Sequence, residues 1–401
     1  MQKFTRLPGP LMAVLALSML YQTMDGGLAL AIPLTAKSLG ANDAMVGVIV
    51  ASGPLVGGLF ALPMGILSDR YGRRRVLMLS SIIGIVGGLL LSTSSHPLAI
   101  MPFYGLVGLA HAAYRPTAAA SVGELSPSGR IATSFGLFLM MGAIGLAIGP
   151  PLSGFIIQTM GYSYSLGGAG LLMCIAFFLT FALPRTRPQQ VLPASRLSFS
   201  KAGRTLWADW LLVLVSDSII AAPFAFLPLF AIRQGITPVE VGLLFSSMQV
   251  ANAVVRVPMG MFLDRSRKIG LGIAVGMAVS SVAIGTIAST TSFYVLAGLM
   301  FLTGLARGIV LTTVRTDIAH RTPPGSLGAA MGTFSTMSLG GRGLGPVFFG
   351  IVVALSSIRM SFLAAGMVGL FGFIATRLLR GGTVMVDGDE PQAEPHPAGK
   401  P

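Results

Sequence analysis

Long, uninterrupted runs of apolar residues fill most of this chain, and short polar segments separate them. Each run is at least about 18 residues long, which is the length that a helix needs to cross a bilayer. The runs are continuous rather than alternating, so they favour helices over the strands of a membrane barrel. We therefore predict twelve membrane-spanning helices. They lie at residues 9–34, 44–67, 76–94, 98–122, 131–158, 163–183, 209–232, 239–263, 269–290, 293–318, 327–355 and 360–379.

The polar segments divide the chain into two halves. Residues 184–207 are polar and basic, and we interpret them as a cytoplasmic linker. It joins an N-terminal six-helix bundle, residues 1–183, to a C-terminal six-helix bundle, residues 208–380. Residues 381–401 carry too little apolar surface to fold, and we predict that they form a disordered tail.

The two halves contain the same sequence pattern. Pro63–Gly65 recurs 195 residues later as Pro258–Gly260, and Gly149-Pro150 recurs 196 residues later as Gly345-Pro346. Glycine and proline rarely stay in register by chance over such a length of chain. We therefore predict an all-α membrane protein whose twelve transmembrane helices form two pseudo-symmetric six-helix bundles. Two like-oriented bundles are typical of a transporter that moves its substrate between them by alternating access.

The charge distribution predicts an orientation. Of the residues, 53% are hydrophobic and only 10% are charged, against about 25% in soluble domains. The net charge of +14 marks the cytoplasmic side of a membrane rather than a nucleic-acid surface. We predict the cytoplasmic (inner) membrane with both termini inside, because eighteen basic residues then lie inside and only Lys37, Arg233 and Arg359 lie outside. The single cysteine, Cys174, cannot form an intrachain disulfide.

One loop carries a specific motif. The segment GILSDRYGRRR, residues 65–75, resembles the signature between spans 2 and 3 of the major facilitator superfamily, whose fold it implies over residues 8–380. An anion at a helix C-terminus needs positive charge facing it. We expect Asp69 to face the following arginines or the start of span 11, and Asp264 to face the start of span 5. The candidates for this cytoplasmic gate are Gly65, Asp69, Arg70, Gly72, Arg73, Arg74, Asp264 and Arg265.

A second motif lies in span 5. Its residues are Gly136, Gly145, Gly149, Pro150 and Gly154. The spacing resembles the antiporter motif of the drug:proton antiporters in that superfamily, with Ser153 where a glycine is usual. The resemblance implies proton-coupled efflux. The glycines themselves predict either close helix packing or a gating hinge, and Pro150 predicts a bend.

Ionisable residues within the predicted spans are candidates for function, because lipid exposure is costly. We expect proton coupling at Asp25, Asp217 or Glu124. The candidates for substrate binding are Arg307, Arg342, Arg256, Arg115, Gln22, Tyr21 and His111. The arginines in the spans outnumber the acids there, so the alternative function is an organic-anion exchanger or symporter with an arginine-based site. The superfamily resemblance also implies an arginine early in span 4, where Tyr104 stands.

Several classes of function lack support in the sequence. We find no phosphate-binding GxxxxGK[ST] loop, no HExxH or GxSxG motif, and no cysteine–histidine cluster. We therefore expect no enzymatic activity, no metal site and no cofactor. The expected partners are the lipid bilayer, a small-molecule substrate and protons, with no nucleic acid, and we expect a monomer. A non-transporting membrane sensor is the remaining alternative.

Overall fold

The computed structural model describes residues 8–127, 130–184, 204–266, 269–322 and 327–379. Within these residues it contains twelve helices that are long and apolar enough to cross a membrane, as predicted. Most of the predicted linker, and the whole predicted tail, lie outside the described residues, while the seventh helix starts inside the predicted linker. The helices are α1 (Gly9–Ser38), α2 (Asp43–Tyr71), α3 (Arg73–Ser92), α4 (Pro97–Leu125), α5 (Ile131–Thr159), α6 (Tyr162–Leu179), α7 (Arg204–Arg233), α8 (Pro238–Ser266), α9 (Ile269–Thr286), α10 (Phe293–Arg321), α11 (Leu327–Leu355) and α12 (Ile358–Leu379).

The turn between α1 and α2 is repeated between α7 and α8. Gly40 and Gly235 have φ angles of 93° and 82°, a left-handed conformation that favours glycine. Helix α2 is then capped by Asn42, whose side chain accepts a backbone hydrogen bond at 2.8 Å. Helix α8 starts with a capping box, in which Thr237 and Glu240 each accept a hydrogen bond from the other's backbone N–H. The repeat therefore extends to the local geometry of the turns.

Glycines bring the helices of each half into backbone contact at equivalent positions. Gly145 of α5 lies against the carbonyl oxygen of Met19 in α1. Gly341 of α11 lies in the same way against Leu214 in α7. These contacts reproduce the offsets of 195 and 196 residues found in the sequence. Small residues permit such an approach, which matters in lipid because apolar burial there adds no driving force between helices.

The two halves meet at one end of the helices, which we call the closed end. Gly47 of α2 lies against the carbonyl oxygen of Pro346 in α11, and Gly242 of α8 lies against that of Pro150 in α5. The two contacts are related by the internal repeat. At this end, backbones of opposite halves therefore touch without intervening side chains.

Ion pairs join the same end of the molecule. Arg233, at the end of α7, donates two hydrogen bonds to the carboxylate of Asp43, at the start of α2, at 2.8 and 2.7 Å. Lys37 of α1 contacts the same carboxylate at 2.8 Å. The Arg233–Asp43 pair crosses between the halves. It is solvent-accessible, so it contributes at most about 1 kcal/mol.

At the opposite end, which we call the open end, the halves diverge. A side chain added at Gly136 of α5, Gly260 of α8 or Gly332 of α11 would meet no described atom within 4 Å. One added at Gly65 of α2 would meet only Pro116 of its own half, at 3.8 Å. The predicted gate residues lie at this end, where these four positions make no contact between the halves.

We predict that Gly149→Ala destabilises the protein, because its Cβ would collide with the backbone of α1 and would lie 2.7 Å from the amide nitrogen of Gly27. Overpacking of this kind costs about 1–3 kcal/mol. The thermal unfolding temperature of the detergent-solubilised protein measures the effect. Gly136→Ala is the matched control, because it enters open space in the same helix and should leave that temperature unchanged or raise it. Equal unfolding temperatures for the two variants would contradict the packing described here.

Candidate functional site

Two adjoining cavities lie between the halves, next to the closed end. Together with the space that opens from them, they span about 480 and 640 Å³. Four residues line both of them, namely Asp25 of α1, Pro54 of α2, Tyr104 of α4 and Arg342 of α11. Because the cavities share these residues, we describe them as one site and call it the central cavity.

Asp25 reaches the central cavity because α1 packs closely on α5. The adjacent Gly26 lies against the ring of Pro150, where a larger residue would push the helices apart. The nearest basic groups are Arg115 Nη2 at 3.5 Å and His111 Nε2 at 4.0 Å, both on α4. Charge-assisted hydrogen bonds are usually about 2.7–2.9 Å long. Asp25 is therefore close to two basic groups without a short bond to either.

Two of the predicted substrate-binding residues lie outside the cavity wall. Tyr21 is fully buried, its ring stacks on Tyr114 at 3.8 Å, and its hydroxyl contacts Ser80 at 2.7 Å. The ring of His111 stands edge-on to it at 5.8 Å. Gln22 lies against α5 and does not line the central cavity. Tyr21 thus supports the position of His111 from behind, while His111 itself lines the smaller cavity.

Asp217 and Arg307 form a tight pair in the C-terminal half. Arg307 Nη2 donates to Asp217 Oδ1 at 2.6 Å, and Ser338 of α11 donates to the second carboxylate oxygen. Asp217 is fully buried and Arg307 is 8% exposed. Removing one partner of such a pair leaves an uncompensated charge and costs about 3–5 kcal/mol. Arg307 stands 196 residues after His111, so the halves place different basic groups at the same position.

Arg256 and Arg315 have neutral partners. Arg256 of α8 donates to the amide oxygen of Asn252 at 2.6 Å. The guanidinium of Arg315 of α10 lies 4.8 Å from the centre of the Phe334 ring. Their places along α8 and α10 set both between the central cavity and the open end. Among the described residues, neither makes an ion pair with a carboxylate.

Arg342 lines both parts of the central cavity. It makes no hydrogen bond or ion pair with any residue that the structure describes. It stands 196 residues after Leu146, which lines the larger cavity from the other half. The repeat therefore places an apolar side chain and a guanidinium on opposite sides of one site.

The gate motif makes its described ion pairs within the N-terminal half. Arg73 pairs with Asp69 in the preceding turn and with Glu124 of α4 at 3.0 Å. Glu124, a candidate for proton coupling, therefore lies at the open end and away from the central cavity. Gly72 has a φ angle of 91°, which allows the sharp turn from α2 into α3.

The other gate candidates lie around this turn or at its counterpart. Arg70 stands over the ring of Tyr71, and Arg74 over that of Phe181. Arg265 is exposed at the end of α8. The side chain of Asp264 and the residues just before α11 lie outside the described part of the chain, so the two expected contacts between the halves stay predictions.

The glycines of the span-5 motif, in α5, differ in what they contact. Gly145 and Gly149 pack on α1 within the N-terminal half. Gly154 lies against the carbonyl oxygen of Pro238 at the start of α8, across the closed end. Gly136 faces open space. Only part of the motif therefore holds the halves together in this conformation.

Three residues contribute to the site and to the closed end without having been predicted to do so. Tyr104 lines both cavities, Ser338 completes the environment of Asp217, and Asp43 joins the halves. The position of Tyr104 in place of the arginine of related proteins was the one available signal. Within the described residues, no group of three or more His, Cys, Asp or Glu side chains could hold a metal ion.

Comparison with known proteins identifies the family. The family model of the Major Facilitator Superfamily matches residues 14–237 and 210–400. An uncharacterized MFS-type transporter of Methanocaldococcus jannaschii is 23% identical over 84% of this chain and 91% of its own. Multidrug resistance protein MdtG of Salmonella choleraesuis is 29% identical over 43% of this chain and 44% of its own.

Solved structures share the fold. A bacterial homologue of the human lysosomal transporter Spinster, in an inward-facing and occupied conformation, superimposes with a TM-score of 0.80. The match covers 95% of this chain and 98% of that one, at 15% sequence identity. The predicted fold and the resemblance noted in the motifs are both confirmed, and this chain belongs to the Major Facilitator Superfamily of membrane transporters.

Proposed function

We propose that this protein is a proton-coupled secondary transporter of a small organic compound. The observation that carries the proposal is the position of Asp25, which lies in the cavity between the halves and has no short bond to a cation. A carboxylate in such a place can take up and release a proton as the charges around it change. The short bonds from Arg307 and Ser338 instead occupy both carboxylate oxygens of Asp217. We therefore assign coupling to Asp25 rather than to Asp217 or Glu124.

Alternating access is the mechanism that fits the two ends. The halves are in backbone contact at the closed end and apart at the open end, with the central cavity between them. Exchange of these two arrangements would expose Asp25 first to one side and then to the other. The ion pair between Arg233 and Asp43 would have to break in each cycle.

The basic residues support an orientation. The open end carries the arginine-rich turn between α2 and α3, and the excess of positive charge in loops marks the cytoplasmic side. We therefore propose that both termini lie in the cytoplasm of an inner membrane, that the closed end faces outward, and that this conformation is open to the cytoplasm.

Two directions of transport follow from different observations. The similarity to a multidrug resistance protein and the span-5 motif support export in exchange for protons. The unpaired Arg342 supports the second candidate, in which an organic anion moves together with a proton. A vesicle assay with the pH gradient applied in either direction separates the two.

We predict that Asp25→Asn abolishes transport driven by a pH gradient, because the variant cannot carry a proton through the cavity. Purified protein in liposomes is screened with a panel of labelled organic compounds to find a transported one. Accumulation of that compound under a pH gradient should fall at least about tenfold in Asp25→Asn. Exchange of labelled for unlabelled compound at equal pH should persist, since it needs no net proton movement.

Asp217→Asn is the matched comparison for this prediction. It should lower the unfolding temperature, because Arg307 then loses its carboxylate, whereas Asp25→Asn should leave that temperature nearly unchanged. Accumulation that survives intact in Asp25→Asn contradicts the coupling site. Absence of flux for every compound in the panel favours the sensor alternative.

We predict that Asp43→Asn loosens the closed end. A cysteine introduced by Leu146→Cys in a Cys174→Ser background reports access to the central cavity from that end. A membrane-impermeant thiol reagent, added on the outer side, should react about two to five times faster when Asp43→Asn is also present, as befits an exposed ion pair.

Arg359→Gln serves as the control for this experiment. Arg359 also lies near the closed end, but its described contact is with the ring of Phe230 in its own half. It should leave the labelling rate unchanged. A rate that does not respond to Asp43→Asn would show that the pair does not contribute to closure.

A further inference from the structure

We infer that Arg342 binds the carboxylate of a substrate that carries a single negative charge, and that the apolar body of this substrate occupies the larger part of the central cavity. This inference names the substrate class of the site and rests on the proposed transport function. It starts from the one arginine of the cavity region whose donors have no described partner.

The other arginines of the spans all have partners. Arg307 is bonded to Asp217, Arg115 is close to Asp25, and two more contact an amide oxygen and an aromatic ring. Arg342 makes no such contact with the described residues, although it lines both cavities. Its guanidinium presents a planar set of donors that matches a carboxylate in a bidentate geometry.

The charges of the cavity region leave room for one anion. Arg115, Arg307 and Arg342 carry three positive charges, and Asp25 and Asp217 carry two negative ones. Among these five groups, one positive charge therefore remains when His111 is neutral. Arg256 and Arg315 are not counted, because they line neither cavity and make no described ion pair with a residue that does. A monocarboxylate neutralises it, whereas a phosphate monoester carries about 1.5 to 2 negative charges at pH 7 and exceeds it. A cationic compound would be repelled.

The rest of the lining describes the remainder of the ligand. The larger cavity, which spans about 640 Å³ with the space that opens from it, is lined by apolar side chains from both halves. They are Leu28, Ile32, Val50, Leu146, Ile220 and Phe224. Asp217 and Gln249 are the polar residues that line only this cavity, and the rest of its own wall is apolar. A compound with an apolar body and one charged end therefore matches the lining. Tyr104, which lines both parts, stands beside Arg342 as a second group able to face the carboxylate.

The same charges determine whether proton binding favours or opposes the binding of an anion. The titratable and charged groups that line the site are Asp25, Tyr104, His111, Arg115, Asp217 and Arg342. Arg307 and Arg315 interact with Asp217 from behind this lining. A proton taken up by Asp25 or His111 makes the cavity more positive and favours a bound anion. An anion on Arg342 favours that proton by the same amount. A carboxylate and a proton would therefore bind together.

Binding of 2-naphthoate to the purified full-length protein in lipid nanodiscs tests the inference. We expect 2-naphthoate to bind at least about tenfold more tightly than the uncharged 2-naphthamide and than acetate, which lacks the apolar body. Its affinity should be higher at pH 6 than at pH 8. Arg342→Gln should reduce the affinity at least about tenfold, Arg342→Lys should restore it only in part, and Arg359→Gln should leave it unchanged.

Three results would overturn the inference. They are equal binding of the acid and the amide, unchanged affinity in Arg342→Gln, or tighter binding of naphthyl phosphate than of naphthoate. Loss of the fold does not confuse the test, because Arg342→Gln removes no described contact and should not lower the unfolding temperature. Naphthoate that binds through Arg342 but accumulates no further when a pH gradient is applied would contradict the proposed coupling and leave this site standing. Proton-driven flux of another compound, with no naphthoate binding, would contradict this site and leave the proposed coupling standing.

Discussion

The cost of placing charge inside a bilayer governs the arrangement of this molecule. An arginine or aspartate that faces lipid at the centre of a helix costs about 2.5–3.5 kcal/mol on the insertion scale. The chain meets this cost in three ways. Asp217 and Arg307 neutralise each other, Arg256 and Arg315 rest on neutral polar or aromatic groups, and Arg342 faces the central cavity. Only the first arrangement is electrostatically complete, and of the remaining three arginines only Arg342 lines the cavity where a ligand would meet its charge.

The internal repeat gives both halves the same backbone and leaves the chemistry to a few substituted positions. The glycine contacts of α5 on α1 recur between α11 and α7, so helix positions and cavity shape are nearly symmetric. The side chains are not. His111 in one half corresponds to Arg307 in the other, and Leu146 corresponds to Arg342. The imidazole of His111, which can titrate near neutral pH, thus corresponds to an arginine that stays charged. The apolar side chain of Leu146 corresponds to the guanidinium of Arg342.

The sequence alone predicted those features of the structure that depend on residues close together in the chain. Apolar run length located the twelve helices, and the register of glycine and proline revealed the two halves. Side-chain partners were beyond reach, because they depend on how each helix is rotated about its axis. Tyr21 faces the interior of its own half while Tyr104 lines the cavity, although both were polar aromatics in apolar runs. Likewise, nothing in the sequence distinguished the paired Arg307 from the unpaired Arg342.

The glycines at the open end face open space or their own half in this conformation. A glycine within a helix is less favourable than alanine by about 0.8–1.0 kcal/mol, and at the closed end backbone contact between the halves offsets that cost. Gly65 and Gly260 are equivalent positions of the repeat, as are Gly136 and Gly332, and none of these four contacts the opposite half here. Their counterparts toward the closed end of the same four helices do. The helices therefore carry small residues at both ends, and only the set at the closed end is in contact between the halves in this conformation. The proposed alternating access would bring the other set together.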